Sequence, residues 1–124
     1  TECALLKYLV ENKVEMDKYH EDGELISRMP FKSDNKYMGS IYVDKKKNVR
    51  LYMKGAPEII GNFCNRCIGK NGQIESITKE HSIAFLNKQN EYASRSERTL
   101  GFAYLEIDER VYDKIKKKIK INYK

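Results

Sequence analysis

Residues 36–56 constrain the fold most: KYMGSIYVD, then KKKN, then VRLYMKGA. Apolar and polar residues alternate through both outer segments, the period of a half-buried strand. A four-residue polar turn between them can only return the chain antiparallel to itself, because a parallel crossover needs a dozen residues or more. On the first strand Ile41 and Val43, with Met38 or Tyr37, are the candidates for the buried side. Upstream, LISRMPFKS reads as extended, since Pro30 drives Met29 out of the helical region. TLGFAYLEID reads as a last strand, continuous enough in apolar residues to be central in a sheet.

Helices flank these strands. Leu5, Leu6, Leu9 and Val10 recur at helical spacing behind Thr1, a candidate cap. KVEMDKYHEDGE is polar and is read as running into a loop at Gly23. PEIIGNFCNRC suits a short helix with proline in its first turn and Glu58 at the positive end of the helix dipole. Asn71-Gly72 signals a hairpin, and Thr78 caps a longer helix to about Ser94. The order is helix, two or three strands, helix, hairpin, helix, strand. That is an α+β chain, an antiparallel sheet flanked by helices.

With 124 residues, 40% of them hydrophobic, the chain supports one modest core. No apolar run approaches the ~20 residues of a membrane span, and TECALLKYLVEN lacks the marks of a signal peptide. The sequence is expected to be a segment of a longer protein. Its +6 charge suggests nucleic acid until it is localised. Residues 109–124 hold seven Lys or Arg against two Asp or Glu, net +5, so the body is almost neutral. The expectation is a core over residues 1–108 and a basic tail or linker over 109–124, with no nucleic-acid partner.

Three cysteines, Cys3, Cys64 and Cys67, make no disulfide framework. CNRC has C-x-x-C spacing, but the remaining candidates, Cys3, His20 and His81, are not paired as a zinc site needs. No metal site is expected. His20 and His81 have no elbow-like serine or cysteine beside them, so no catalytic residues are expected either. The usual phosphate-cradling glycine motifs are absent. A binding constellation remains. Lys36 begins one strand and Lys54 ends the next, so the antiparallel pair brings them to one edge, with Phe31 close by. An aromatic ring and two ammoniums suit a nucleotide, the ring for the base and the lysines for phosphate or ring nitrogens. A core phenylalanine with two surface lysines fits the same spacing.

TECALL, FKSDNKYM, KGAPE and RTLGFAY, in this order, resemble the nucleotide-binding (N) domain of P-type cation-transporting ATPases, most like the calcium-transporting ones. KGAPE is the most specific, and the resemblance covers residues 1 to about 107. It implies an ATP-binding module that presents the γ-phosphate to an aspartate in another domain. It also implies roles. Lys54 lines the adenine pocket, where Gly55 and Ala56 let the base approach the backbone. Phe31 stacks on adenine, Lys36 lies deeper, and Met38 pads the floor. Glu2 accepts from the adenine amino group, Arg98 points toward the phosphates, and Leu100 lies against sugar and base.

Many family members have arginine where this chain has Ser33, so a phosphate contact is missing unless Lys32 replaces it. The Asp-Lys-Thr-Gly and Thr-Gly-Glu-Ser motifs and the membrane helices are absent, so this segment is expected to bind ATP without turning it over. The resemblance implies that its core is truncated relative to the family's domain, whose sheet is expected to continue in strands that precede Thr1. The implied partners are ATP, Mg2+ travelling with the nucleotide, and the phosphorylation and actuator domains of a membrane-embedded parent. The segment itself is expected to be soluble, at the cytosolic face of a membrane. Two other readings use different residues: a thiol or redox protein built on Cys64 and Cys67, and a nucleic-acid module built on the basic tail.

Overall fold

The computed structural model describes residues 1–20 and 22–122. Helix α1 spans Glu2–Glu11 and the short α2 spans Met16–His20. Strands β1 (Gly23–Lys32), β2 (Tyr37–Asp44) and β3 (Val49–Gly55) lead to helix α3 (Pro57–Asn62). Strands β4 (Arg66–Ile68) and β5 (Ile74–Ser76) form a separate hairpin, followed by α4 (Lys79–Ser94), β6 (Gly101–Ile107) and α5 (Glu109–Asn122). The main sheet has the order β1-β2-β3-β6 and is antiparallel throughout.

The antiparallel strands read from residues 25–56 are present, and the turn between β2 and β3 has a clear chemical cause. The Asp44 carboxylate accepts from both the backbone N–H and the side-chain amide of Asn48, each at 2.8 Å. Lys47 takes a left-handed φ of 68°, which closes a three-residue loop. Pro30 lies inside β1, where the missing N–H is tolerable because β1 is an edge strand. The pairing with β2 is irregular there, between Met29 and Lys32.

Register sorts the side chains onto two faces. The pairs Ile41↔Leu51, Val43↔Val49 and Met53↔Ala103 make one face apolar. Tyr37, not Met38, belongs with Ile41 and Val43, because side chains two apart share a face. Helix α3 covers one end of this face. Gly101 makes room for it, since a Cβ there would sit 3.0 Å from Pro57 Cα and 3.0 Å from Ile60 Cβ. The Tyr37 and Phe63 rings meet edge to face, 5.4 Å between centroids. Ile60 at 3% exposure and Val49 at 7% are the buried hydrophobic residues among those described, so the core is thin.

Three readings need correction. The helix read over residues 57–67 ends at Asn62, and Arg66 and Cys67 belong to β4. Strand β6 is an edge strand, paired with β3 alone among the described residues. Its apolar run reflects apolar groups on both faces, but Phe102 and Leu105 remain exposed. The polar stretch before Gly23 includes helix α2 and is not all loop. The Thr78 cap, by contrast, forms as read: its hydroxyl accepts from His81 N–H at 3.3 Å, and its own N–H donates to His81 Nδ1 at 3.2 Å. Thr1 precedes α1, but its side chain makes no cap bond.

Gly55 should be intolerant of any side chain. A Cβ there would lie 2.7 Å from Tyr37 Cα and also strike the Lys36 carbonyl oxygen. Gly55→Ala should cost about 1–3 kcal/mol by forcing β2 and β3 apart. Gly39→Ala, whose new Cβ meets nothing closer than 3.6 Å, should change stability by less than ~1 kcal/mol. Urea unfolding of the two variants measures the difference, and equal losses would contradict the close approach at Gly55.

Candidate functional site

The second face of the sheet carries the candidate site. It runs in cross-strand rows: Met38, Lys54 and Phe102; then Ser40, Tyr52 and Tyr104; then Tyr42, Arg50 and Glu106. The last row holds an ion pair, Arg50 Nη2 to Glu106 Oε1 at 2.9 Å. The first row lies where β3 ends, one residue short of Gly55. Lys54 is therefore flanked by an aliphatic thioether on one side and an aromatic ring on the other.

Helix α1 brings Glu2 to this row. Glu2 Oε1 accepts from Lys54 Nζ at 2.5 Å. The Lys54 side chain is 18% exposed and that of Glu2 69%, so the carboxylate closes the outer side of a half-enclosed ammonium. The hydrogen bond from Lys54, then its charge, and in smaller measure the charge of Arg28, hold the Glu2 carboxyl below its ordinary value. Arg28 pairs with Ser40 across β1 and β2, which places it on the same face.

The remaining residues surround this end of the sheet. Lys36 immediately precedes β2, with a left-handed φ of 59°, and its carbonyl accepts from Ala56 N–H at 2.9 Å. Its side chain is exposed and is not drawn inward. Gly55 is packed against the Lys36–Tyr37 backbone, so the close approach seen at this glycine is that of a neighbouring strand. Phe31 lies in the irregular part of β1 near the start of β2, with its side chain 56% exposed. Leu100 immediately precedes the Gly55↔Gly101 pair, and Arg98 is exposed on the approach to it. Glu2, Phe31, Lys36, Met38, Lys54, Gly55, Ala56 and Leu100 thus lie at one end of one sheet, and Arg98 three residues before β6. Glu2 and Lys54 bond directly, and Met38 stands beside them.

Two residues of this end escaped the sequence reading, Phe102 and Arg28. Both follow from extending the two-residue period of the Lys54 face onto the flanking strands. Cys3 follows Glu2 in α1, while Cys64 and Cys67 lie beyond α3. Cys3, Cys64 and Cys67 are free, and Cys64 Sγ donates to Ile60 O at 3.3 Å. No described helix is long and apolar enough to cross a membrane.

The family of the P-type ATPase cytoplasmic domain N matches residues 1–123. The chain belongs to this N-domain family. Among its relatives, the human sodium/potassium-transporting ATPase subunit alpha-4 is 37% identical over 109 residues, 86% of this chain and 10% of that protein. The calcium-transporting ATPase PAT1 of Dictyostelium discoideum is 36% identical over 104 residues, 84% of this chain and 9% of that one. A putative plasma membrane-type calcium-transporting ATPase 11 of Arabidopsis thaliana is 28% identical over 109 residues, covering 88% and 11%. The chain spans about a tenth of the length of these relatives, and relatives named for sodium/potassium and for calcium transport reach 37% and 36% identity.

The Glu2–Lys54 pair of the N domain has a pH signature. A depressed carboxyl contributes its stabilisation above its unfolded pKa and loses it as pH falls through the lower folded value. Followed by carboxyl-carbon NMR, Glu2 should therefore titrate below 4.5, its ordinary value, and Lys54→Met should return it toward that value. A Glu2 titration that Lys54→Met leaves unmoved would contradict the pairing.

Proposed function

We propose that the chain is the adenine-nucleotide-binding module of a P-type cation-transporting ATPase. In this role it holds ATP by its adenosine end and presents the γ-phosphate to a phosphorylatable aspartate in another domain of the parent. The observation that carries this reading is the half-enclosed Lys54 ammonium between Met38 and Phe102, closed by the Glu2 carboxylate. Such a slot offers a planar base apolar contact on its walls, a cation for a ring nitrogen, and an acceptor for an exocyclic amine. Phe31 supplies a stacking surface from β1, and Leu100 an apolar contact toward the sugar. Lys36, Gly55 and Ala56 form the rim. Arg98 meets the phosphates; with Ser33 where many family members have arginine, a further contact is missing unless Lys32 supplies it.

Glu2 already accepts from Lys54, so adenine must share that carboxylate or displace the ammonium from one of its oxygens. Mg2+ fits this site only as the nucleotide's own counterion, because Glu2, the one carboxylate among the proposed contacts, is turned to Lys54. In the parent protein, Mg2+ bound to the phosphates neutralises charge for transfer, while this chain's residues position the base. The partners are then the phosphorylation and actuator domains, at the cytosolic side of a membrane that the parent spans. Calcium is the proposed cargo, from the likeness of TECALL to the calcium pumps.

A stacked base, a few hydrogen bonds and one or two exposed phosphate contacts net about 4–6 kcal/mol, a Kd between ~1 mM and tens of micromolar. AMP, ADP and ATP should bind within about tenfold of one another, since exposed charge pairs add only ~0–1 kcal/mol each. Calorimetry should find all three weakened by Lys54→Ala, and weakened about tenfold or more by Phe31→Ala, given ~1–3 kcal/mol for a base stacked on an aromatic ring. Lys54→Arg should not restore binding, because a planar guanidinium is the wrong shape for this slot. Intact AMP binding with abolished ATP binding in Lys54→Ala would make Lys54 a phosphate clamp and overturn the placement of the base.

A further inference from the structure

A second cluster shares no residue with the Lys54 row and lies where the β4–β5 hairpin meets the start of α4. Cys67 Sγ is 4.0 Å from His81 Nδ1, and His81 Nε2 is 3.7 Å from Glu75 Oε1. One donor atom from each of the three residues lies within 4.8 Å of the other two. They line an open cleft of about 480 Å³. We propose that Cys67, Glu75 and His81 form a binding site for a borderline-soft divalent cation of the Zn2+ type, with a fourth position left to water.

The chemistry of the donor set favours that class of ion. A thiolate, an imidazole and a carboxylate together suit Zn2+, whereas Mg2+ and Ca2+ take oxygen ligands. The spacing is close to what the ion requires. Bonds of ~2.3 Å to sulfur and ~2.1 Å to nitrogen hold tetrahedral donors about 3.6 Å apart. The three groups need move together only by a few tenths of an ångström to about 1 Å. Cys67 is half-buried, and the Glu75 and His81 side chains are each about two-fifths exposed, so the site is reachable from solvent.

Turn geometry creates the cluster. A two-residue Asn71-Gly72 loop would pair Cys67 with Ser76 and put Glu75 opposite Ile68, leaving Cys67 and Glu75 on different faces. The structure instead closes a three-residue loop, with Gly69 N–H donating to Gln73 O at 2.8 Å and Gly72 N–H to Gly69 O at 3.0 Å. Gly72, at φ 77°, takes the left-handed position, and Cys67 pairs with Glu75. Gly69 leaves space beneath the carboxylate, for a Cβ there would come within 2.6 Å of Glu75 Oε1. The Thr78 cap then sets His81 in the first turn of α4, facing the hairpin.

The cap also links metal binding to α4. His81 Nδ1 now accepts from Thr78 N–H. If the metal takes Nδ1, that lone pair is gone; if it takes Nε2, the proton moves to Nδ1. Either way Thr78 N–H loses its acceptor, while the bond from His81 N–H to Thr78 Oγ1 can remain.

The test is a Co2+ titration of the reduced chain, with Zn2+ as competitor. The expected result is one Co2+ per chain, with a thiolate-to-cobalt charge-transfer band and the strong visible bands of a tetrahedral site, and a shift of the Thr78 amide resonance. Cys67→Ser should abolish the charge-transfer band. His81→Gln, which retains a side chain able to complete the capping box, should lower affinity by more than the ~10–100-fold that an outer-shell partner contributes. Cys64→Ser should bind like the parent chain. Circular dichroism checks that α4 survives in each variant, and Glu75→Gln, in the hairpin, gives an independent reading should His81→Gln unfold. Absence of the band in the parent chain, its survival in Cys67→Ser, or its loss in a folded Cys64→Ser would overturn the assignment.

Discussion

The close approach of Gly55 to the backbone of Lys36 and Tyr37 governs the open end of the sheet. With no Cβ at residue 55, β3 lies tight against β2 up to its final residue, and the Lys36 carbonyl takes the Ala56 N–H just beyond. That register sends Lys54 to one face and Met53 to the other. Lys54 then shares a row with Met38 and Phe102, and α1 delivers Glu2 to its ammonium. A one-residue slip would put Met53 in that row and leave Glu2 without its cation.

The same register makes the chain economical in burial. One face packs its apolar row under α3, where Gly101 admits Pro57 and Ile60, yet Ile60 and Val49 alone among the described hydrophobic residues are buried. The other face is aromatic and charged, held by Arg50–Glu106 at one end and Lys54–Glu2 at the other. Ion pairs with an exposed partner contribute little individually, so the hydrogen-bonded ladder and the α3 contact do most of the holding. For a site at the rim of a sheet this suffices, because the strands themselves position Met38, Lys54 and Phe102.

Much of this was legible in the residues. The alternation of 36–56 marks two strands and their hairpin, and Thr78 marks the start of α4 because its side chain has a donor to satisfy. Lys36 and Lys54 reach one edge by strand counting alone. The choice between Tyr37 and Met38 was not legible, both being apolar and adjacent; the exact pairing with β3 decides it. The edge position of β6 was also hidden, since a continuous apolar run looks alike whether a second strand or open solvent lies beside it. Glu2 is 52 residues from its partner and came to notice only through the resemblance of TECALL. Asn71-Gly72 marks a hairpin without fixing its loop length, so the facing of Cys67 and Glu75 stayed hidden, and spacing along the chain does not bring His81 to Cys67.

An amide-shift NMR titration with AMP tests the central claim most directly, that the row around Lys54 is an adenine site. The account predicts that the largest shifts fall together on Glu2, Phe31, Met38, Lys54 to Ala56, Leu100 and Phe102, saturating with one dissociation constant. Shifts centred on the β4–β5 hairpin or on α5, with Lys54 and Glu2 unmoved, would contradict it.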